Sequence, residues 1–201
     1  MGTKMKLSRI VLLTALCLLL THRTYAATTY TFNCSDSSIK GAISYSVIGT
    51  YRAVFKGCSG RIVYDDLRRK MLSVDMSISI GSIVSNCRWC DNIAKSKRVL
   101  DAARWPSITF KSRDLKNDKL GWQACGLLSM HGRVQHFCSP FKMDGKKDNV
   151  LFLSGAWKFN RKDYRIIWNK WLDHGGIVVA DEVMVPWRIK ANLTASHTHG
   201  H

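Results

Sequence analysis

Proline is scarce in this sequence. Three in 201 residues are too few for a Pro-rich linker or stalk, and no low-complexity stretch or convincing repeat takes their place. Acidic residues are few, 14 against 31 basic ones, which leaves a formal charge of +17. No apolar run reaches the roughly 20 residues that a membrane-spanning helix needs. Catalytic signatures are missing as well: there is no Gly-rich phosphate loop, no His-Glu-x-x-His run, no Ser/His/Asp set and no well-spaced carboxylate pair. Their absence excludes the common routes to phosphoryl transfer, zinc proteolysis and glycoside hydrolysis. The chain therefore reads as a binding protein and not an enzyme, with no cofactor and no metal required. Its basic charge comes without a recognisable nucleic-acid module, so no nucleic acid is expected as partner. An anionic membrane surface suits the charge better, as a transient contact.

The first feature present is an export signal. Lys4, Lys6 and Arg9 form a basic start, Ile10 to Leu20 is an apolar run broken only by Thr14, and Thr24-Tyr25-Ala26-Ala27 supplies small residues around a cut after Ala26. This pattern predicts a signal peptide over residues 1–26 and a periplasmic location. Cleavage removes four basic residues and no acidic ones, lowering +17 to +13. Cys34, Cys58, Cys87, Cys90, Cys125 and Cys138 then remain. An even set in an oxidising compartment predicts disulfides, and 15 full pairings are open. If His131-Gly132 is a two-residue hairpin turn, counting outward sets Cys125 opposite Cys138 at a non-hydrogen-bonded position, where a cross-strand bond fits. A longer turn would spoil that register.

The dominant pattern is alternation with period 2, the mark of strands with one buried face. It runs through Ile39 to Val47, Met71 to Ile80, Leu151 to Trp157 and Val183 to Lys190. Shorter candidates are Tyr30–Cys34, Ile62–Tyr64, Ser107–Arg113, Ala124–Met130, Val134–Met143 and Tyr164–Trp168. Connections are short, with turn signals at Lys56-Gly57 and Asp144-Gly145. About eight to ten strands joined this way predict an all-β, antiparallel meander that can close into an eight-stranded barrel, since closure removes exposed edges. One segment breaks the alternation. Asp91 to Arg104 reads as an amphipathic helix, with Ile93, Val99, Leu100 and Ala103 on one face and Asp91 or Asn92 as N-cap, ending before Pro106. Nothing else is helical, so it must lie on the barrel as a flap. Small residues within the strands, Gly41, Ala42, Ala124, Gly126 and Gly155, leave room inside for an apolar guest.

Several stretches, in order, resemble the YceI-like family of periplasmic polyisoprenoid-binding proteins. Tyr30-Thr31-Phe32 and Asp36-Ser37-Ser38-Ile39 are similar to its opening strand and turn. Ser82-Ile83-Val84-Ser85 with Cys90-Asp91 resembles the stretch leading into its helix. Trp105-Pro106-Ser107-Ile108-Thr109-Phe110-Lys111-Ser112 is very close to its aromatic-Pro-x-Ile-Thr-Phe-x-Ser. Gly126-Leu127-Leu128-Ser129-Met130-His131-Gly132 is similar to its hairpin, Arg161-Lys162-Asp163-Tyr164 with Ile166 and Trp168 to its Arg-x-Asp-Phe-Gly-Ile, and Asp181-Glu182-Val183 to the opening of its last strand. The chain departs from the family at Asp36 (His there), Cys90 (Arg), Ala53 (Gly) and Arg165 (Gly). The resemblance implies an antiparallel eight-stranded lipocalin-like barrel over residues 27–192 whose lumen takes an isoprenoid lipid, such as a quinone tail or a polyprenyl alcohol or phosphate. A flexible His-rich tail, 193–201, follows.

The apolar strand faces supply the expected lining: Ile43, Tyr45, Leu72, Val74, Met76 and Ile78 from the first half, and Phe110, Leu128, Leu153, Trp157, Val185 and Trp187 from the second. Lys95, Lys97, Arg98 and Arg104 on the flap are placed to meet a phosphate head group or a membrane surface. The competing reading is a thiol redox protein using Cys87-x-x-Cys90. A third is metal binding by His197, His199 and His201. The oligomeric state, a homodimer among the options, stays open.

Overall fold

The structure, a computed structural model, describes residues 27–45, 49–119, 121–167 and 179–196. The expected signal peptide, Ser46, Val47, Trp168 and the histidines of the tail lie outside these residues.

Eleven strand segments make one antiparallel sheet. They are β1 (Ala27–Asn33), β2 (Ser38–Tyr45), β3 (Gly49–Phe55), β4 (Cys58–Asp65), β5 (Lys70–Ser79), β6 (Ile83–Val84), β7 (Ser107–Asp118), β8 (Gly121–Met130), β9 (Arg133–Lys147), β10 (Val150–Asn160) and β11 (Val179–Ser196). Three pairs of segments are single long strands with a kink. β1 and β2 lie end to end along β11, β4 and β3 run beside them, and β5 and β6 run beside β4 and β3. Counted this way the barrel has eight strands, each paired with its neighbour in sequence, and β11 closes it on both β1 and β2.

The three kinks stack at one level. The Cys34–Cys58 disulfide joins the first two, and the Lys56 and Ser79 amides donate to Ser82 and Gly57 carbonyls across the second and third. Lys56-Gly57 is therefore a bend inside a strand and not the reversal expected from its sequence. Asp144-Gly145 is likewise no turn: it lies within β9, at a register shift against β10. There the reversal comes three residues after Gly145, with Asp148 in the left-handed region at φ 52°. Residues 193–196 belong to β11, not to a flexible tail, since Leu193 pairs with Tyr30 and Ser196 with Thr28.

The flap helix is shorter and earlier than its sequence suggests. α1 spans Arg88–Lys95, with Cys87 as N-cap. Its spacing of apolar residues carried on past Ser96, but the Ser96 amide and hydroxyl both donate to the Ile93 carbonyl. The chain then folds back, with the Leu100 and Ala102 amides on the Ala94 and Lys95 carbonyls. Val99 and Leu100 still face the barrel, from a loop. Asp91 is not a cap either, because its carboxylate is spent on tertiary contacts. The strand expected at Tyr164–Trp168 is absent over its described part. Arg161–Tyr164 is a 3-10 turn capped by the Asn160 side chain, and Arg165 follows in the left-handed region at φ 57°. Glycine suits such a position best, which gives a reason for the residue that the family resemblance expects there.

The β8–β9 turn is tight, with His131 at φ 51° and Gly132 at φ 69°, as a two-residue turn of this hand requires. A side chain on Gly132 would meet the Trp105 ring at 2.5 Å. The hairpin tip is thus packed beneath the end of the flap.

Candidate functional site

Alternation turns Ala124, Leu128 and Met130 of β8, Leu151, Leu153 and Trp157 of β10, and Val185 and Ile189 of β11 inward, and all are buried. These faces do not meet at the centre. Two hollows remain along the barrel, with about 130 Å³ open to the centre of a water molecule in the upper one and about 50 Å³ in the lower. A single water needs only roughly 10–15 Å³ on this measure, so the upper hollow has room for a larger guest.

The upper chamber lies beneath the flap. Cys90, Ala94, Val99 and Leu100 form its roof, while Ile43, Ile78, Leu128, Trp157 and Val185 are among its walls. The lower chamber is lined by Val74, Met76, Phe110, Leu153, Trp157 and Trp187, with Phe32, Ile62 and Phe141 among others. Trp157 lines both. It belongs to a waist of aromatic rings: Phe137 sits edge-on to Phe110 at 6.4 Å and to Trp157 at 6.2 Å. Hydrocarbon dominates both linings; among the described residues Arg161 is the one charged group of the upper chamber, and Ser139 is the one hydroxyl of the lower.

Ten of the twelve residues expected to line the lumen from the sequence therefore border one chamber or both. Leu72 does not. It is 43% exposed while Met71 is fully buried, because Val63 pairs with Ser73 and Tyr64 with Met71, leaving Leu72 as an extra residue in a bulge. One inserted residue flips the side chains beyond it to the other face. Tyr45 pairs with Val179 through its backbone; its side chain lies outside what the structure describes. Of the small strand residues, Gly41 and Ala42 open the upper chamber and Ala124 the lower. The space beside Gly155 is instead taken by the Trp187 ring, 2.6 Å from where a Cβ would stand.

Two polar anchors hold the roof and rim. Asp91, 6% exposed, accepts hydrogen bonds from the Tyr51 hydroxyl at 2.7 Å, the Ser85 amide at 2.9 Å and the Ser85 hydroxyl at 2.6 Å. Burial works against its ionisation, yet the Ser85 and Tyr51 bonds and the nearby Lys95 charge outweigh this and hold the carboxyl below its ordinary value. On the other side of the chamber, Arg161 is 2% exposed. Its guanidinium donates to the carbonyls of Ile166, Val179 and Ala180 and to the Asp181 carboxylate at 3.0 Å. Asp181 also receives Lys162 at 2.6 Å, and the Lys162 bond is the main reason its carboxyl titrates low. Behind the turn, His131 Nδ1 donates to the Tyr164 carbonyl at 3.0 Å, and burial pushes the Tyr164 phenol up to about 12. The sequence offered Asp91 only as a cap and part of a motif, and Arg161 only as part of a motif. Their burial is what gives them a role, and no local pattern announces it.

The cysteines form three disulfides, Cys34–Cys58, Cys87–Cys90 and Cys125–Cys138. Cys125 faces Cys138 across β8 and β9. The Cys87–Cys90 bond staples the first turn of the roof, in an all-β barrel with no parallel strand before the helix; this arrangement lends the thiol redox reading no support. Among the described residues no cluster of three or more His, Cys, Asp or Glu could hold a metal ion, and no helix is long and apolar enough to cross a membrane.

The barrel's likeness to known proteins is broad. The family model described as a YceI-like domain matches residues 30–191. UPF0312 proteins of Yersinia pestis (strain Pestoides F) and Yersinia pseudotuberculosis (strain IP 31758) are 25% identical over 92 residues, 46% of this chain and 48% of theirs. The chain thus spans about half the length of the curated relatives it matches. Among solved structures, BcnA of Burkholderia cenocepacia superposes with a TM-score of 0.71 at 18% identity, over 80% of this chain and 99% of that one. A polyisoprenoid binding domain from Saccharophagus degradans gives a TM-score of 0.65 at 10% identity, over 84% and 99%. The Campylobacter jejuni YCEI protein gives 0.62 at 19%, over 71% and 85%. At such identities the likeness is one of fold.

Proposed function

The chain belongs to the YceI-like family, and from that premise we propose that its barrel holds a long isoprenoid-type lipid, a quinone tail or a polyprenyl alcohol or phosphate, as a carrier or reservoir in the periplasm. The observation that carries this reading is the pair of apolar chambers in line along a closed barrel, meeting at Trp157. A prenyl tail is nearly insoluble in water. Burying a few hundred Å² of it at about 25 cal/mol per Å² gives several kcal/mol, of which ordering the flexible chain offsets part. The likeness to a polyisoprenoid binding domain supports the same ligand class. Hydrocarbon walls suit retention and not bond making, so binding without catalysis is the role proposed. Three disulfides fit an oxidising compartment. Loading and unloading such a lipid requires contact with a bilayer, for which a basic exterior is suited.

The test is organic extraction of the protein purified from its own compartment, followed by mass spectrometry. A prenyl species in near-stoichiometric amount is the expected result. An extract without one, from protein that also fails to take up a polyprenol offered in detergent, would refute the proposal.

A further inference from the structure

Three exposed apolar residues stand out at the flap end: Val84 at 46%, Trp89 at 68% and Ile167 at 69% exposure. Each is the chain neighbour of a residue that lines the upper chamber, respectively Ile83, Cys90 and Ile166. At three places around the rim the backbone thus sends one apolar side chain into the hollow and the next one out into solvent. The greasy surface continues from the lumen over its edge. Trp89 lies between the two bonded cysteines of the roof, so the loop that presents it is already constrained. Interleaved with these residues are the exposed cations Arg88, Lys97, Arg104 and Arg165, with Asp163 the acid nearest in the chain to Arg165. Arg104 lies over the Trp105 ring at 5.0 Å. Projecting apolar side chains ringed by cations match the interfacial zone of an anionic bilayer, where indoles settle at head-group depth and basic groups meet phosphates.

We propose that the flap end is the face with which the protein seats on an anionic lipid bilayer, Trp89 and Ile167 entering the interface and the basic residues meeting the head groups. The site's use rests on the lumen being the lipid site, since this seating brings the roof of the upper chamber against the membrane. The seating itself has a separate readout.

The experiment is flotation of the mature, disulfide-bonded chain with vesicles of phosphatidylcholine alone or mixed with phosphatidylglycerol, no prenyl lipid being added. Parent protein is expected to float with the anionic vesicles, progressively less as salt rises. Trp89→Ala should weaken the partition about tenfold, in line with removing a large side chain from an apolar environment. Trp89→Ala with Ile167→Ser should abolish flotation, and Arg88→Glu with Lys97→Glu should do so at low salt. Leu67, 80% exposed on the β4–β5 turn at the opposite end, supplies the control: Leu67→Ser should leave flotation unchanged. Circular dichroism and extractable lipid report whether each variant folds and loads. Equal flotation with neutral and anionic vesicles, or loss with Leu67→Ser but not with Trp89→Ala, overturns the proposal. A parent that neither carries a prenyl lipid nor takes up an offered polyprenol, yet still floats, refutes the lumen reading alone, and a loaded parent that does not float refutes the seating alone.

Discussion

Replacing Ala53 with tryptophan would fill the upper chamber with the protein's own side chain. Ala53 lies on β3 opposite Gly41, is 4% exposed and borders the hollow. An indole carries about 150–250 Å² of surface, a gross gain of about 4–6 kcal/mol at 25 cal/mol per Å² if all of it is buried. Overpacking strain of about 1–3 kcal/mol opposes this, as does lost rotamer freedom. The lipid-free variant should therefore unfold in urea no more than about 1 kcal/mol below the parent. A prenyl tail denied about 100 Å² of contact would lose about 2.5 kcal/mol, close to a hundredfold in affinity. Extracted lipid per protein, set beside the urea midpoint, reads both effects. A folded variant that keeps the parental amount of lipid would refute the claim that the hollow is the working part. Should the variant fail to fold, Val185→Phe, two strands away on β11 and bordering the same hollow, makes the same test with a smaller intrusion.

Asp91→Asn should loosen the roof. The carboxylate takes three hydrogen bonds from Ser85 and Tyr51, and a bond to a charged acceptor contributes roughly 1.5–3 kcal/mol, so a loss of about that size is expected, seen as faster amide exchange over the flap. Because the folded carboxyl titrates below its ordinary 3.8, its contribution is full above that pH and fades as pH falls through the lower folded value. Flap exchange in the parent should accelerate only there, and Asp91→Asn should lack this acid step. Trp187→Phe should be mild. The indole Nε1 is buried without a hydrogen-bond partner among the described residues, and removing an unsatisfied donor worth about 1–3 kcal/mol offsets the smaller ring. Denaturant unfolding should place this variant within about 1 kcal/mol of the parent, against about 3–5 kcal/mol for truncation to Ala; a loss near the latter would mean that the N–H has an acceptor.

Inward and outward faces were legible wherever a strand ran without interruption. β8, β10 and the Val183–Ala191 part of β11 follow the alternation, and their lining residues were named from it. Legibility failed where one residue was inserted or where a tertiary contact outbid local pattern. The bulge at Leu72 leaves no mark in the sequence, because Met71 and Leu72 are adjacent and both apolar, and only pairing with β4 decides which of them turns inward. Asp91 looks like a cap because caps and buried hydrogen-bond hubs use the same side chain; Tyr51, 40 residues away, sets the outcome. Lys56-Gly57 looks like a reversal, yet here it lets a long strand bend. Arg161 was visible as part of a motif, but its burial against three carbonyls depends on the turn folding back over β11.

A barrel that must stay hollow cannot draw its stability from filling its centre. At about 24 cal/mol per Å³, chambers of about 130 and 50 Å³ cost roughly 4 kcal/mol relative to a solid interior. Closing loops of 24 and 13 residues with Cys34–Cys58 and Cys125–Cys138 is worth about 3 kcal/mol each on the chain-entropy account. Such bonds act largely on the unfolded chain and need no interior volume. Cys125 and Cys138 alternate with the inward-facing Ala124 and Ser139 and therefore lie on the outer wall. The two covalent closures together are thus large enough to offset the empty space inside. An uninterrupted packed core would make these bonds redundant for folding, and it would leave the lipid nowhere to go.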